Sequence, residues 1–255
     1  MQFSSLLGHA QELLDSIRAS SKPADSLMDS FFRSHKYLGS HDRKFIAETT
    51  YGTLRHLRKC EFILQHALGE TMQDVKKEDG LLLIIVAYLV TVAGQKLTVA
   101  DLTPKLTSPN LKEQAIKLLA RLGDEHTLDG YGSIERLGIQ YSYPDWMVKR
   151  LVDQYGDNEA ELILKNLNEP APLTIRVNVL KTTIEQCEKE LLSQEIQTTR
   201  AKFSPHGLQI AKRLNIFSLK SFQDGLFEVQ DEGSQILPLL VDPKPNAKVL
   251  LARPH

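Results

Sequence analysis

The apolar run LLLIIVAYLVTVA, at residues 81–93, limits what this chain can fold into. A helix of this composition has no polar side to present to water, so other elements must enclose it. The run has 13 residues, whereas a bilayer span needs roughly 18 or more. It therefore predicts the central helix of a protein core and no membrane segment.

Helical periodicity extends on both sides of this run, over residues 1–125. A first amphipathic helix is indicated by apolar residues at helical spacing, namely Phe3, Leu6, Leu7, Ala10, Leu13, Leu14 and Ile17. Pro23 suits the first position of a second helix, and Ser40, after Gly39, suits the N-cap of a third that reaches residue 59. Further helices are expected at about 59–68, 79–93, 98–106 and 109–122. Because no segment alternates like a strand, residues 1–125 predict an all-α bundle.

The pattern changes after a glycine-containing stretch, residues 126–142, which we interpret as a linker. Two more helices follow from Tyr143, and Pro170 and Pro172 then end the helical pattern. After them come a strand, LTIRVNVL, a helix, TTIEQCEKELLSQ, two strands, IQTTRAKF and GLQIA, and a last strand, LFEV. Strand, helix, strand and strand in this order are typical of a split βαβ unit. Residues 143–230 therefore predict a small α+β subdomain.

Residues 231–255 predict the start of a further layer, with a helix at 231–241, a Pro-rich turn and an apolar strand at 247–252. In an α/β protein the residues after such a strand bind a phosphate or a nucleotide. Without a sheet to cover them, several apolar side chains are expected to be partly exposed. These are Ile236, Leu237, Leu239, Leu240, Val249, Leu250 and Leu251.

The net charge of −1 and the isoelectric point near 6.7 give no overall basic character, so a nucleic-acid surface would have to be local. Residues 1–60 hold nine Lys and Arg against six Asp and Glu. The candidate RNA-binding residues there are Arg43, Lys44, Arg55 and Arg58. The alternative is a solvated helix face in which Asp42 and Arg43 serve the fold.

In the strand LTIRVN, alternation places Thr174, Arg176 and Asn178 on one face and Ile175 and Val177 on the other. A guanidinium and an amide on an open sheet face can bind phosphates or base edges. Arg176 and Asn178 are therefore candidate RNA-binding residues. The alternative is that they anchor neighbouring loops.

Gln230, Asp231 and Ser234 lie at a strand-to-helix junction, where Asp231 suits the N-cap of the following helix. The two cysteines, Cys60 and Cys187, have no spacing typical of a metal site or a disulfide framework, and both are expected to be reduced thiols. No metal site is predicted.

Three stretches in order resemble one family: LGSHDRKFIAETTYGTLRH (38–56), EPAPLTIRVNVLKTT (169–183) and GLFEVQDEGSQILPLL (225–240). Together they resemble the RNA cytosine-5 methyltransferases of the Fmu/Sun type. The resemblance implies an α-helical domain similar to the antitermination factor NusB, a small RNA-binding subdomain and the first strand of a Rossmann-like methyltransferase domain. It implies RNA, in particular ribosomal RNA, as the partner, and the cytoplasm as the location.

The family's chemistry also uses S-adenosylmethionine, bound at a Gly-rich turn, and a cysteine thiolate as nucleophile. The resemblance places Gln230, Asp231 and Ser234 beside the cofactor pocket. After Val249 and Leu250, where the family's Gly-rich turn begins, this sequence reads LARPH. We therefore expect a chain truncated before the cofactor motif, with no catalytic residue and no bound cofactor, inactive unless a separately encoded methyltransferase core completes it. Cys60 and Cys187 do not lie in the family's cysteine motifs, so neither is expected to be the nucleophile.

Two other functions remain open on the sequence alone. The helical first half and its basic segment also fit a stand-alone RNA-binding module of the NusB or antitermination kind. The near-neutral charge fits a helical scaffold for protein interactions.

Overall fold

The computed structural model describes residues 1–69, 75–122, 128–211, 214, 216–244 and 246–249. The chain divides into two compact units, Met1–Glu169 and Pro170–His255. The first unit is helical, and the second contains a four-stranded antiparallel sheet. The architecture is therefore α plus α+β, in the order that the sequence predicts.

The helices of the first unit follow one another with short connections. They are α1 Phe3–Arg18, α2 Ala24–Ser34, α3 Ser40–Arg55, α4 Leu57–Leu68, α5 Lys77–Thr91, α6 Val99–Leu102, α7 Pro109–Arg121, α8 Ser133–Tyr141, α9 Asp145–Tyr155 and α10 Asp157–Leu167. A short 3-10 turn, Thr103–Lys105, follows α6.

The apolar run forms most of α5, and its side chains from Leu81 to Ala87 are all buried. Helices α1, α3, α4 and α7 pack against α5, which confirms the predicted central helix. Among the described residues, no helix is both long enough and apolar enough to cross a membrane.

Two details of the helical unit differ from the sequence-based expectations. Ser40 is the first residue of α3 and Gly39 occupies the N-cap position, where its N–H donates to Asp42 Oδ2 at 3.3 Å. The single helix expected over 40–59 divides at His56, whose φ of −108° leaves the helical range. No glycine or proline marks this break, so the sequence gives no local signal for it.

The stretch predicted as a linker, 126–142, contains α8, and residues 123–127 lie outside the described residues. Gly138 explains why this helix was missed. A Cβ at Gly138 would lie 2.9 Å from the Tyr143 carbonyl oxygen and 2.9 Å from Asp145 Oδ1, so the glycine permits a close approach inside a helix. The division between the two compact units falls at a different place, after Glu169.

The second unit contains strands β1 Leu173–Val177, β2 Thr198–Arg200, β3 Gly207–Ile210 and β4 Phe227–Val229. Its helices are α11 Ile184–Ser193, α12 Lys220–Gln223 and α13 Glu232–Val241, with a 3-10 turn at Ile216–Ser218. The sheet order is β2-β3-β1-β4, and all neighbouring strands are antiparallel. Because β3 lies between β1 and β2 and α11 connects those two, the predicted split βαβ unit is confirmed.

One face of this sheet forms the core of the second unit. Ile175 and Val177 of β1 are buried there against Cys187 and Leu191 of α11. Thr183 caps α11, because its hydroxyl accepts a hydrogen bond from the Gln186 N–H at 3.2 Å. Residues 174 and 176 point to the opposite face, as the alternation predicts.

Helix α13 carries several apolar side chains that are exposed, as the sequence predicts. Leu237, Leu239, Leu240 and Val241 are each more than half exposed, and so is Val249. Residues 247–249 are not in a strand, and the rest of the strand predicted at 247–252 lies outside the described residues. The incomplete Rossmann-like domain is therefore not confirmed.

Candidate nucleic-acid interface

A cavity of about 420 Å³ lies where β1 ends, on the second unit. It is lined by Arg176, Val177, Asn178, Val179, Leu180, His206 and Glu228. The lining therefore combines a guanidinium, an imidazole, an amide and a carboxylate with apolar side chains. Such a mixture offers both donors and acceptors to a polar ligand.

Arg176 is the exposed residue of an otherwise buried strand. In the sheet it lies directly opposite Gly207 of β3 and Glu228 of β4. Gly207 has no side chain to cover the guanidinium, and a Cβ there would lie 2.6 Å from Ala201 Cβ. Within the part of the chain that the structure describes, the Arg176 side chain makes no hydrogen bond or ion pair. Its five N–H donors are therefore free to bind a ligand.

Asn178 differs from Arg176, because its side chain is committed to the fold. Its Nδ2 donates to the Gly225 carbonyl at 3.0 Å, and its Oδ1 accepts from the Leu180 N–H at 3.2 Å. Both ends of the amide therefore fix the turn after β1. These contacts fit the anchoring alternative for Asn178, while its predicted role in RNA binding stays a prediction.

His206 also lines the cavity, and the sequence-based reasoning missed it. Its Nδ1 atom is buried and has no hydrogen-bond partner within the described residues. A buried polar atom without a partner costs free energy. His206 lies in the loop between β2 and β3, so no periodicity in the sequence points to it.

The same loop carries exposed groups suited to nucleic acid. The ring of Phe203 is 65% exposed, and Lys202 Nζ lies 4.9 Å from its centroid. Exposed aromatic rings next to cations bind single-stranded nucleic acid by stacking and charge. The Glu232 carboxylate holds this loop by accepting hydrogen bonds from the N–H groups of Phe203 and Ser204, the latter at 2.9 Å.

The residues at the strand-to-helix junction serve mainly to start α13. Asp231 Oδ2 accepts from the Gly233 N–H at 2.9 Å, which confirms the predicted N-cap. The Gln230 carbonyl accepts from Gln235 Nε2 at 2.8 Å, and Gln235 Oε1 accepts from the Ser204 hydroxyl at 2.6 Å. These contacts do not by themselves build a cofactor site, and the predicted cofactor role of Gln230, Asp231 and Ser234 stays a prediction.

In the helical unit, two of the four basic candidates bind the protein itself. Arg43 donates to the carbonyls of Leu38 at 2.9 Å and His35 at 3.3 Å. Arg58 Nη1 donates to the Tyr143 carbonyl and to Asp145 Oδ1, both at 2.6 Å. Their guanidinium groups therefore hold the ends of neighbouring helices.

The other two candidates in the helical unit are more accessible. Lys44 and Arg55 are exposed, and they lie on the same side of α3 because eleven residues complete about three helical turns. Lys44 Nζ lies 3.8 Å from Glu48 Oε1, and Arg55 makes one long hydrogen bond of 3.5 Å to the Asn168 carbonyl.

Both cysteines are buried and free. Burial raises the pKa of the Cys60 thiol to about 12 and that of the Cys187 thiol to about 11. A thiol with such a pKa holds almost no thiolate at neutral pH, so neither cysteine is a competent nucleophile.

The comparisons with known proteins fit this architecture. The family model of the RsmF/B-like methyltransferase ferredoxin-like domain matches residues 143–217, which include Arg176, Asn178 and His206. The probable ribosomal RNA small subunit methyltransferase B of Synechocystis is 25% identical over 236 residues, which cover 88% of this chain and 52% of that protein. The corresponding Bacillus subtilis protein is 23% identical, and the aligned region covers 98% of this chain and 57% of that protein.

Among solved structures, the crystal structure of PH0851 is similar, with a TM-score of 0.61 and 19% identity. The similarity covers 96% of this chain and 56% of that chain, and it supports the fold. The chain spans about half the length of the curated relatives it matches.

The chain is therefore similar to proteins named as ribosomal RNA methyltransferases, and it matches the ferredoxin-like domain of the RsmF/B-like methyltransferases. These matches support the resemblance to the Fmu/Sun family that the three sequence stretches predict.

Proposed function

We propose that this chain is the RNA-recognition portion of an Fmu/Sun-type methyltransferase and that its ligand is ribosomal RNA. The observation that carries the proposal is the exposed Arg176 guanidinium, which has no partner within the described residues and lines a cavity together with His206. The names of the relatives, which are ribosomal RNA methyltransferases, support the choice of ligand.

The chemistry around Arg176 favours a base edge over a phosphate. Glu228 lies directly opposite Arg176 in the sheet, so the positive charge is locally offset. Phosphate binding needs a surplus of positive charge, whereas a base edge needs donors and acceptors side by side. Arg176, His206 and Glu228 supply both to an unstacked base of single-stranded RNA.

The helical unit is proposed to add contacts to the RNA backbone. Lys44 and Arg55 lie on one side of α3 and are exposed, so they suit phosphate oxygens. Arg43 and Arg58 are proposed to support RNA binding through the helices they hold together, because their donors already bind protein oxygens.

The proposal is tested by equilibrium binding of the full chain to a small-subunit ribosomal RNA transcript. Arg176→Ala is expected to weaken binding about 5- to 30-fold, as for loss of a base contact worth about 1–2 kcal/mol. The dependence of affinity on salt should not change, because no phosphate contact is lost. If the slope of log affinity against log salt concentration fell by about one, Arg176 would instead contact a phosphate.

Arg200 offers a matched control in the same sheet. It is also an exposed strand arginine, but its guanidinium already binds Glu185 at 2.8 Å and Glu188 at 3.0 Å. Arg200→Ala should leave RNA affinity unchanged. An equal loss of affinity in both variants would show only a general dependence on positive charge and would contradict the proposed site.

The cofactor belongs to the same proposal. S-adenosylmethionine is the methyl donor that membership of the family implies, and the chain is proposed not to transfer a methyl group by itself. Its two thiols are buried and protonated at neutral pH, and Asp231 is committed to capping α13. An assay with tritiated S-adenosylmethionine and ribosomal RNA tests this point. Turnover by the isolated chain would overturn the claim of inactivity without affecting the RNA-binding claim.

The exposed apolar side chains of α13 favour one protein partner. We propose that Leu237, Leu240 and Val241 pack against a methyltransferase core. A core fragment of a relative should bind the full chain, and Leu240→Asp should abolish that binding while leaving RNA affinity intact. Equal binding of both proteins to the core would contradict this contact.

A further inference from the structure

His9, Glu12 and His35 come together in the helical unit, whereas Arg176 and its cavity belong to the sheet unit. His9 and Glu12 lie one turn apart on α1, and His35 directly follows α2. His9 Nδ1 lies 3.6 Å from Glu12 Oε2, and His35 Nε2 lies 4.0 Å from Glu12 Oε1. One ligand atom from each residue lies within 4.8 Å of the others.

These separations are close to those of a metal site. Ligands bound tetrahedrally to zinc at about 2.0–2.1 Å lie roughly 3.3–3.4 Å apart. The distances of 3.6 and 4.0 Å therefore need only small side-chain rotations to meet one ion. The two imidazole rings lie edge to face, with centroids 5.1 Å apart and an angle of 68° between their planes.

In each imidazole, the ring nitrogen that does not face Glu12 has a partner of its own. His35 Nδ1 lies 2.9 Å from the Phe31 carbonyl oxygen, which can only accept, so Nδ1 carries the proton of the neutral ring. This leaves the lone pair on Nε2, the nitrogen that faces Glu12. His9 Nε2 lies 3.1 Å from the Tyr37 hydroxyl, which can accept its proton and leave Nδ1 as the ligand. Outer hydrogen bonds of this kind orient histidines at metal sites.

Without a cation between them, two lone pairs and a carboxylate face one another. A divalent ion between them satisfies all three groups at once. The histidine side chains are only 18% and 19% exposed, while Glu12 is 55% exposed. An ion can therefore enter from the side of the carboxylate.

We propose that His9, Glu12 and His35 bind one divalent transition-metal ion of the zinc class. Two neutral imidazoles and one carboxylate are borderline ligands that favour Zn²⁺, Co²⁺ and Ni²⁺ over Mg²⁺ and Ca²⁺. The ion joins α1 to the end of α2, and water completes its coordination. The observations behind this site are separate from those behind the proposed RNA function.

The sequence-based reasoning did not find this cluster. His9 and Glu12 have helical spacing, but His35 lies 23 residues after Glu12, so no compact motif connects them. Only the packing of α2 against α1 brings the third ligand into place.

The test is a titration of the full chain, freed of metal with a chelator, with Zn²⁺ and with Co²⁺. We expect one equivalent of Zn²⁺ to bind at micromolar or lower concentration, and the Co²⁺ complex to show visible absorption of low-coordinate geometry. Glu12→Gln and His35→Gln should each weaken binding at least 20-fold. His41→Gln, which changes an exposed histidine of the same unit, should bind as the unchanged chain does.

Thermal unfolding provides a second readout that separates metal binding from loss of fold. In chelator, the variants should unfold within a few degrees of the unchanged chain, and Zn²⁺ should raise the midpoint of the unchanged chain and of His41→Gln but not of Glu12→Gln or His35→Gln. The proposal would be overturned if the unchanged chain bound no Zn²⁺ at 100 μM. It would also be overturned if Glu12→Gln and His35→Gln bound Zn²⁺ as tightly as the unchanged chain.

Discussion

The arginines of the two units differ in what their guanidinium groups contact. In the helical unit, Arg43 and Arg58 lie in a basic segment of the chain, yet protein carbonyls and Asp145 accept hydrogen bonds from them. In the sheet unit, Arg176 lies alone in an apolar strand, and its side chain has no partner within the described residues. Local charge density therefore does not identify the arginines that can bind a ligand.

The physical reason is the geometry of the two kinds of element. Helix ends expose carbonyl groups that lack intrahelical partners, and a nearby arginine satisfies them. A strand in the interior of a sheet has its carbonyls paired with its neighbours, so the sheet offers an arginine on its face few backbone acceptors. The neighbouring Gly207 further leaves Arg176 open.

The largest effect is expected on the stability of the chain when Arg58 is replaced. Arg58→Ala should lower the free energy of unfolding of the full chain by about 2 kcal/mol, because two charge-assisted hydrogen bonds are lost from a half-buried site. Chemical denaturation measures this change. Lys149→Ala, which removes an exposed ion pair with Asp153, is the control and should change stability by less than about 0.5 kcal/mol. Equal effects of the two substitutions would contradict the structural role of Arg58.

A smaller effect is expected at the loop beside the cavity. Glu232→Gln should weaken the hydrogen bonds to the Phe203 and Ser204 N–H groups and destabilise the loop locally by about 1 kcal/mol. Amide hydrogen exchange at these two residues should then be about fivefold faster. Glu228→Gln, at the cavity but without these bonds, should leave their exchange unchanged. Unchanged exchange in Glu232→Gln would show that the loop is held by other contacts.

The smallest effect concerns the paired arginine of the sheet unit. The hydrogen bond from Arg200 holds the pKa of Glu185 below its usual value of 4.5. A carboxyl whose pKa is lowered by folding stabilises the fold above the unfolded pKa, and this contribution is lost as pH falls through the folded pKa. The stability difference between the unchanged chain and Arg200→Ala should therefore be small near pH 7 and vanish at lower pH. A difference that grows on acidification would contradict the pairing.

The sequence predicted the elements better than the contacts between them. The apolar run, the two prolines at 170 and 172 and the alternation of LTIRV are local signals, and they located α5, the end of α10 and β1. The partner of Arg58 lies 85 residues away at Tyr143, and no local pattern encodes such a contact. From the sequence, Gly138 indicates a linker. In the structure it lies inside α8, where residues that pack against the helix leave no room for a side chain.

The candidate site was predicted in part for the same reason. Alternation in β1 was sufficient to place Arg176 on the open face of the sheet. The antiparallel register that brings Gly207 and Glu228 beside it, and the loop that adds His206, depend on strand pairing across 30 to 50 residues. A sequence without an alignment offers no signal for those neighbours.

The central claim is that Arg176 contacts RNA and that Arg43 and Arg58 do not. The most direct measurement is the NMR signal of each arginine Nε–H group in the full chain as a small-subunit ribosomal RNA fragment is added. We predict that the Arg176 signal shifts or broadens at substoichiometric RNA, while the Arg43 and Arg58 signals stay in place. Movement of the Arg43 and Arg58 signals with an unchanged Arg176 signal would contradict the account.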